Sequence, residues 1–170
     1  VPQLSSPGEL AQWLGVSIAD LDWFADRSNC ASASALEKIR HYHIATLAKR
    51  DGGVRLIEAP KPTLKDIQRR IHDEMLRHLP LHPAAFGFVA ERGALQHAAL
   101  HVGQPMVLRF DLSDCFLHVH GGHVFRAFRS LGYGEALSRD LLGLCTHRLS
   151  HGMLQRLRSE EHTSELQSLT

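Results

Sequence analysis

The stretch Val107 to Phe116, V-L-R-F-D-L-S-D-C-F, limits the fold more than any other part of the chain. Its apolar, alternating residues predict a strand over Met106–Asp111. The strand stops at an acidic residue, Asp111, and a second, Asp114, follows three positions later. A carboxylate at the carboxyl end of a strand sits on a rigid element, at a sheet edge that substrates and metals can reach. The plain alternative is a solvated strand end.

The residues before this strand predict helices and a hairpin. Ser6-Pro7-Gly8-Glu9 offers an N-cap Ser, Pro at the first helical position and Glu at the third. Leu10, Trp13 and Leu14 fall on one face, and Gly15 can end that helix. Ser17 to Asp20 opens a second helix whose Leu21 and Phe24 face the core. Strands over 42–47 and 54–58 flank Lys49-Arg50-Asp51-Gly52-Gly53, where Asp-Gly favours a tight turn. Cations and glycine amides meet at that tip, which suits phosphate. After Pro60 and Pro62, Thr63 is the expected N-cap of a helix with Asp66 at its third position. Leu64, Ile67, Ile71 and Met75 make one apolar stripe, leaving Lys65, Arg69 and Arg70 on a basic outer side able to track a nucleic-acid backbone. Helices are expected over 94–102, around Val124 to Leu131, and over 135–145. The order is helices, hairpin, helices, strand, helices: an α+β pattern rather than a parallel α/β wind.

Charge adds to this. The 170-residue chain has a net charge of only +1, but 38–78 holds ten Lys or Arg against five Asp or Glu. A basic block beside a carboxylate site fits a polyanionic substrate; a solvated helix face is the alternative. The three cysteines, Cys30, Cys115 and Cys145, are far apart and odd in number, which fits a reducing compartment rather than a disulfide scaffold. No apolar run is long enough to span a bilayer and no secretory h-region opens the sequence, so no membrane partner and a cytoplasmic location are expected.

The final residues differ in kind. R-S-E-E-H-T-S-E-L-Q-S, over 158–168, has no apolar periodicity and looks like the in-frame translation of a common sequencing-library adapter. The expectation is that natural sequence stops near Leu157 and that 158–170 is a non-native tail. Without it the chain holds 18 basic and 15 acidic residues.

Four stretches, in order, resemble bacterial reverse transcriptases (RNA-directed DNA polymerases) of the retron and group II intron-like lineage. Lys49 to Arg55 with Pro60 is similar to the fingers hairpin K-x-x-G-G-x-R … P. Leu64 to Arg69 is similar to the helix L-K-x-I-Q-R. His82 to Val89 with Arg92 is similar to H-x-x-A-x-G-F-x-x-x-R. Arg109 to Phe116 is similar to the first catalytic palm motif, D-L-x-D-F-F-P-S-V. The chain departs from these patterns at Cys115, Leu117 and His118, where the family has Phe, Pro and Ser. Glu91 and Gly93 replace Gly and Ser around Arg92, and His97 stands for Asn in N-A-x-x-H. No Y-x-D-D stretch is present.

The resemblance implies a right-hand polymerase fold: a helical cap over 1–38, fingers over 39–105 and a partial palm over 106–157, cut before the second and third catalytic carboxylates. It implies template-directed DNA synthesis with two Mg²⁺ ions, Mn²⁺ being an alternative. Asp111 is then the catalytic, metal-binding carboxylate, with the Leu112 carbonyl as a further contact. Lys49 and Arg55 grip the incoming triphosphate. Asp114, Cys115 and Phe116 line the nucleotide pocket, Phe116 lying under the sugar. Lys65, Arg69, Arg70 and Arg92 hold nucleic acid. The implied partners are an RNA template, a DNA or RNA primer, dNTPs and a cognate structured non-coding RNA. The implied roles run from retron DNA synthesis and antiviral defence to intron mobility. With one carboxylate of three, the chain is expected to be inactive alone; the other reading is a non-catalytic RNA-binding module. Rival metal readings are zinc at His118, His120 and His123, or a pair at His97 and His101. Cys115 as a nucleophile lacks a nearby base.

Overall fold

The computed structural model describes residues 1–34, 36–48, 54–112, 115 and 119–148. Helix α1 (Pro7–Leu14) begins where the sequence demands: the Ser6 hydroxyl accepts the Glu9 N–H at 3.2 Å, and Gly15 closes the helix at φ 71°. Helix α2 (Ile18–Ala25) opens with a reciprocal capping box between Ser17 and Asp20. It ends at Asp26, whose carboxylate accepts the Ala31 N–H, the Ser32 N–H and the Ser32 hydroxyl and so shapes the loop that follows.

Strands β1 (Tyr42–Ala48) and β2 (Val54–Pro60) form the expected antiparallel hairpin, with Tyr42 opposite Pro60 and Leu47 opposite Arg55. Helix α3 (Pro62–Ile71) follows at once and runs into a π-helical turn, His72–Leu76. Its N-cap is Lys61, not Thr63. Pro62 supplies a preset φ and needs no N–H partner, so it takes the first helical position and the helix begins before Thr63. The stripe Leu64, Ile67, Ile71 and Met75 is buried throughout, as its spacing predicts.

Helix α4 (Ala94–Ala99) is shorter than the expected 94–102; Leu100 to Gly103 form turns instead, with Gly103 at φ 76°. Helices α5 (Gly121–Ser130) and α6 (Glu135–Cys145) close the described chain. Helix α6 is the centre of the core. Its Leu137, Leu141 and Leu144 pack among Leu10 and Leu14 of α1, Leu21 and Ala25 of α2, the α3 stripe, and Phe128 of α5. Gly143 allows α2 to come close, since a Cβ there would lie 2.0 Å from the Ala25 carbonyl oxygen.

The strand expected over 106–111 does not form. These residues have no regular structure and no backbone partner among the described residues, and Phe110 is 84% exposed. A strand exists only through ladder bonds to a neighbour. Among the described residues the one sheet is the β1–β2 hairpin, and nothing pairs with 106–111.

Candidate functional site

The expected site residues fall into three groups. Asp111 and Leu112 lie in the irregular, exposed segment, and Cys115 beyond them is an exposed free thiol. Lys49, Asp114, Phe116 and His118 lie outside the described residues. Among the described residues no three His, Cys, Asp or Glu side chains converge. Asp111 therefore offers one hard oxygen ligand, while a magnesium ion needs further carboxylates, phosphates or waters around it. The donor set described here does not by itself make a two-metal centre.

The basic residues are placed with more definition. Arg55 stands exposed on β2 opposite Leu47. Lys65 and Arg69 share the outer face of α3. Arg69 lies 3.8 Å from Asp66 in a pair open to solvent, where such contacts contribute little. Arg70 turns away from that face. Its guanidinium lies 5.2 Å over the Trp13 ring of α1 and donates to Glu74 at 3.1 Å.

Arg92 serves a loop. One terminal nitrogen, Nη1, donates to the carbonyls of His82, Pro83 and Ala85 at 3.0, 3.2 and 2.7 Å, and the guanidinium lies 5.8 Å over Phe86. The loop is stapled from within. At its outer end Phe88 is 99% exposed and holds φ 59°, a conformation costly for a bulky residue. His97 stacks in a tilted contact on Phe86 and edge-on against His101, so both histidines belong to this aromatic cluster. His120 and His123 face each other with centroids 6.0 Å apart at the start of α5.

The hairpin is fixed to the core by contacts that sequence reading missed. The Gln68 amide nitrogen donates to the Tyr42 hydroxyl and to the Leu144 carbonyl, both at 2.8 Å. One α3 side chain thus joins the root of β1 to the end of α6. His147 stacks on Tyr42 with centroids 4.0 Å apart, and its Nε2 lies 2.7 Å from Glu58 Oε1 of β2 without the alignment of a hydrogen bond. Burial pushes the Tyr42 phenol above its ordinary range, and the Gln68 bond offsets this in part. Burial likewise pushes the Cys145 thiol up to about 12, which leaves it inert as a nucleophile. The L-K-x-I-Q-R pattern contains Gln68, but its partners lie 26 and 76 residues away, beyond any local signal.

A second feature escaped the sequence entirely. Asp140 of α6 is 1% exposed, and its carboxylate lies 3.2 Å from Arg27 without a well-directed hydrogen bond. Burial raises its pKa above the ordinary carboxylate value, and Arg27 opposes the rise.

No protein-family model matches the chain. Individual proteins do. The chain is 39% identical over 144 residues to the retron Mx162 reverse transcriptase of Myxococcus xanthus, covering 85% of this chain and 28% of that protein. It is 37% identical over 146 residues to the retron Mx65 reverse transcriptase of the same organism, covering 86% and 33%. It is 31% identical over 109 residues to the retron Ec86 reverse transcriptase of Escherichia coli, covering 63% and 34%. The helices, the hairpin and the D-L-S-D stretch therefore belong to a reverse-transcriptase sequence. Within that class, the chain belongs to the bacterial retron reverse transcriptases. It spans about a third or less of the length of the relatives it matches. No helix among the described residues is long and apolar enough to cross a membrane.

Proposed function

We propose that this chain is the fingers and partial palm of a retron RNA-directed DNA polymerase that copies RNA into DNA in the bacterial cytoplasm, active as the longer parent protein. The observation that carries this reading is the 144-residue kinship with a retron reverse transcriptase, together with an acidic D-L-S-D stretch at the end of an apolar run. In this reading the fingers occupy 39–105 and the palm begins at Met106. Asp111, with the Leu112 carbonyl, supplies the first ligand for divalent magnesium or manganese. A metal held there would supply the positive charge that favours ionisation of the primer hydroxyl and departure of pyrophosphate. Asp111 is exposed and carries no regular structure here, which leaves its carboxylate open to a metal and phosphates.

The chain's own residues do the rest by position and charge. Arg55, on a hairpin anchored by Gln68, meets the incoming triphosphate together with Lys49. Asp114, Cys115 and Phe116 shape the nucleotide pocket. Lys65 and Arg69 follow the backbone of template or primer. Arg92 holds its loop, and Phe88 with it, against nucleic acid. Arg70, spent on Trp13 and Glu74, supports the α1–α3 contact behind this surface. The further partner is a cognate structured non-coding RNA.

The test is dNTP incorporation on a primed RNA template by the full-length parent and its Asp111→Ala form. Incorporation should fall to background in the variant; incorporation at the parental rate removes Asp111 from the reaction. A non-catalytic RNA-binding module is the second reading, favoured by the basic outer face of α3 and by the lack of a carboxylate cluster among the described residues. It predicts salt-dependent RNA affinity in a parent that incorporates no nucleotide.

A further inference from the structure

A cleft of about 270 Å³ opens between the end of α2, the root of β1 and the last turns of α6. Its size is near the low end of ligand pockets, roughly 300–1,000 Å³, and suits one unpaired nucleotide rather than a duplex. None of Arg55, Lys65, Arg69, Arg92 or Asp111 lines it.

Four arginines line it against a single acid, Asp26. Asp26 is already saturated by the loop it shapes. Arg27 is structural, held by Asp22 at 2.7 Å and by buried Asp140 at 3.2 Å, and Arg40 donates to the Ser34 carbonyl. Arg139 and Arg148 are different. Among the described residues Arg139 pairs with Glu135, both more than half exposed, a contact readily exchanged for a phosphate. Arg148 is exposed and makes no ion pair or hydrogen bond among the described residues.

Aromatic rings share the rest of the lining with small, aliphatic and polar residues such as Ile44, Leu142, Asn29 and Thr146. Tyr42 and His147 stack at 4.0 Å, and buried His41 lies edge-on to Trp23 at 5.0 Å. His41 Nε2 is 2.8 Å from the Trp23 carbonyl, which can only accept, so Nε2 carries the proton. In the neutral ring, Nδ1 is then placed to accept a hydrogen bond from a hydroxyl such as that of a ribose. Guanidinium groups beside stacked rings form the chemistry that grips a splayed nucleotide of single-stranded RNA.

We infer that this cleft is a second nucleic-acid site, which takes one unpaired nucleotide of an RNA strand through Arg139, Arg148 and the Tyr42–His147 rings. Its choice of RNA rests on the reading of the chain as an RNA-copying protein, but its residues are separate from those assigned to that reaction. The test uses the 170-residue chain, fluorescein-labelled oligouridine and anisotropy, with circular dichroism and the thermal midpoint as folding controls. Arg139→Glu with Arg148→Glu should weaken binding about tenfold or more and lower its salt dependence, with folding unchanged. The milder Arg148→Gln should give a smaller loss. Oligouridine carrying 4-thiouridine should crosslink to Tyr42 or His147.

Unchanged affinity in the double variant overturns the proposal, and so does crosslinking confined to α3. Displacement by AMP at the same affinity as the oligomer also overturns it, because the cleft would then serve a free nucleotide. Loss of binding in Lys65→Glu with Arg69→Glu, beside wild-type affinity in the cleft variant, overturns the cleft alone and leaves the RNA reading intact. Absence of oligouridine binding by the wild-type chain overturns both.

Discussion

The helical core and the segment over 77–112 are built from equally apolar sequence, yet they have opposite fates. In the core, every stripe meets a partner: α6 lies among α1, α2, α3 and α5, and Leu10, Leu137 and Leu141 are sealed from solvent. Between 77 and 112, Phe88, Leu95, Met106, Leu108 and Phe110 stand in water. Helices satisfy their own backbone and need only a face to pack on, whereas a strand needs a neighbour for every second N–H and C=O. The region proposed to carry the chemistry is therefore the one that cannot complete itself from local sequence.

The contrast breaks most readily in the core. Leu141→Ala, in the middle of α6, should cost about 2–5 kcal/mol by opening a cavity, whereas Phe110→Ala should stay within about 0.5 kcal/mol. Urea unfolding of both variants compares them directly, and equal losses would erase the distinction. Gly143→Ala forces a methyl against the Ala25 carbonyl and should cost about 1–3 kcal/mol through displacement of α2. A thermal midpoint equal to the wild type would contradict the close approach.

Asp140 gives the smallest effect and the most specific sign. Its folded pKa is raised, so as pH rises the unfolded chain releases this proton first. The Asp140 contribution to stability therefore declines from the ordinary carboxylate value up through the raised one. Asp140→Asn should remove that decline, seen as a flatter urea midpoint against pH, while Arg27 keeps Asp22. A wild-type and variant profile of the same slope would show that burial of Asp140 does not govern its ionisation.

Much of the core was legible because its signals are local. Ser6, Ser17 and Gly15 mark helix ends by their own hydrogen bonds and φ, and the Leu64–Met75 stripe marks its buried face by spacing alone. The pairing of β1 with β2 follows from two apolar runs set close together, while the Asp51-Gly52 turn expected between them lies outside the described residues. The start of α3 was misread because two local rules competed and Pro62 prevailed over the Thr63 cap. The strand over 106–111 was misread because alternation reports a preference, not the presence of a neighbour. At the site, residue types were legible and their partners were not. Nothing near Arg92 in sequence shows that three carbonyls occupy it, and nothing near Gln68 shows that it joins β1 to α6. The cleft between α2 and α6 depends on Gly143 meeting Ala25, more than a hundred positions away.

Amide hydrogen exchange over 106–112, in this chain and in the full-length parent, tests the central claim most directly. The account predicts rapid, unprotected exchange in the chain and strong protection in the parent, where neighbouring palm strands would hold Asp111 at a strand end. Equally rapid exchange in the parent would contradict it, because Asp111 would then have no rigid element to present it.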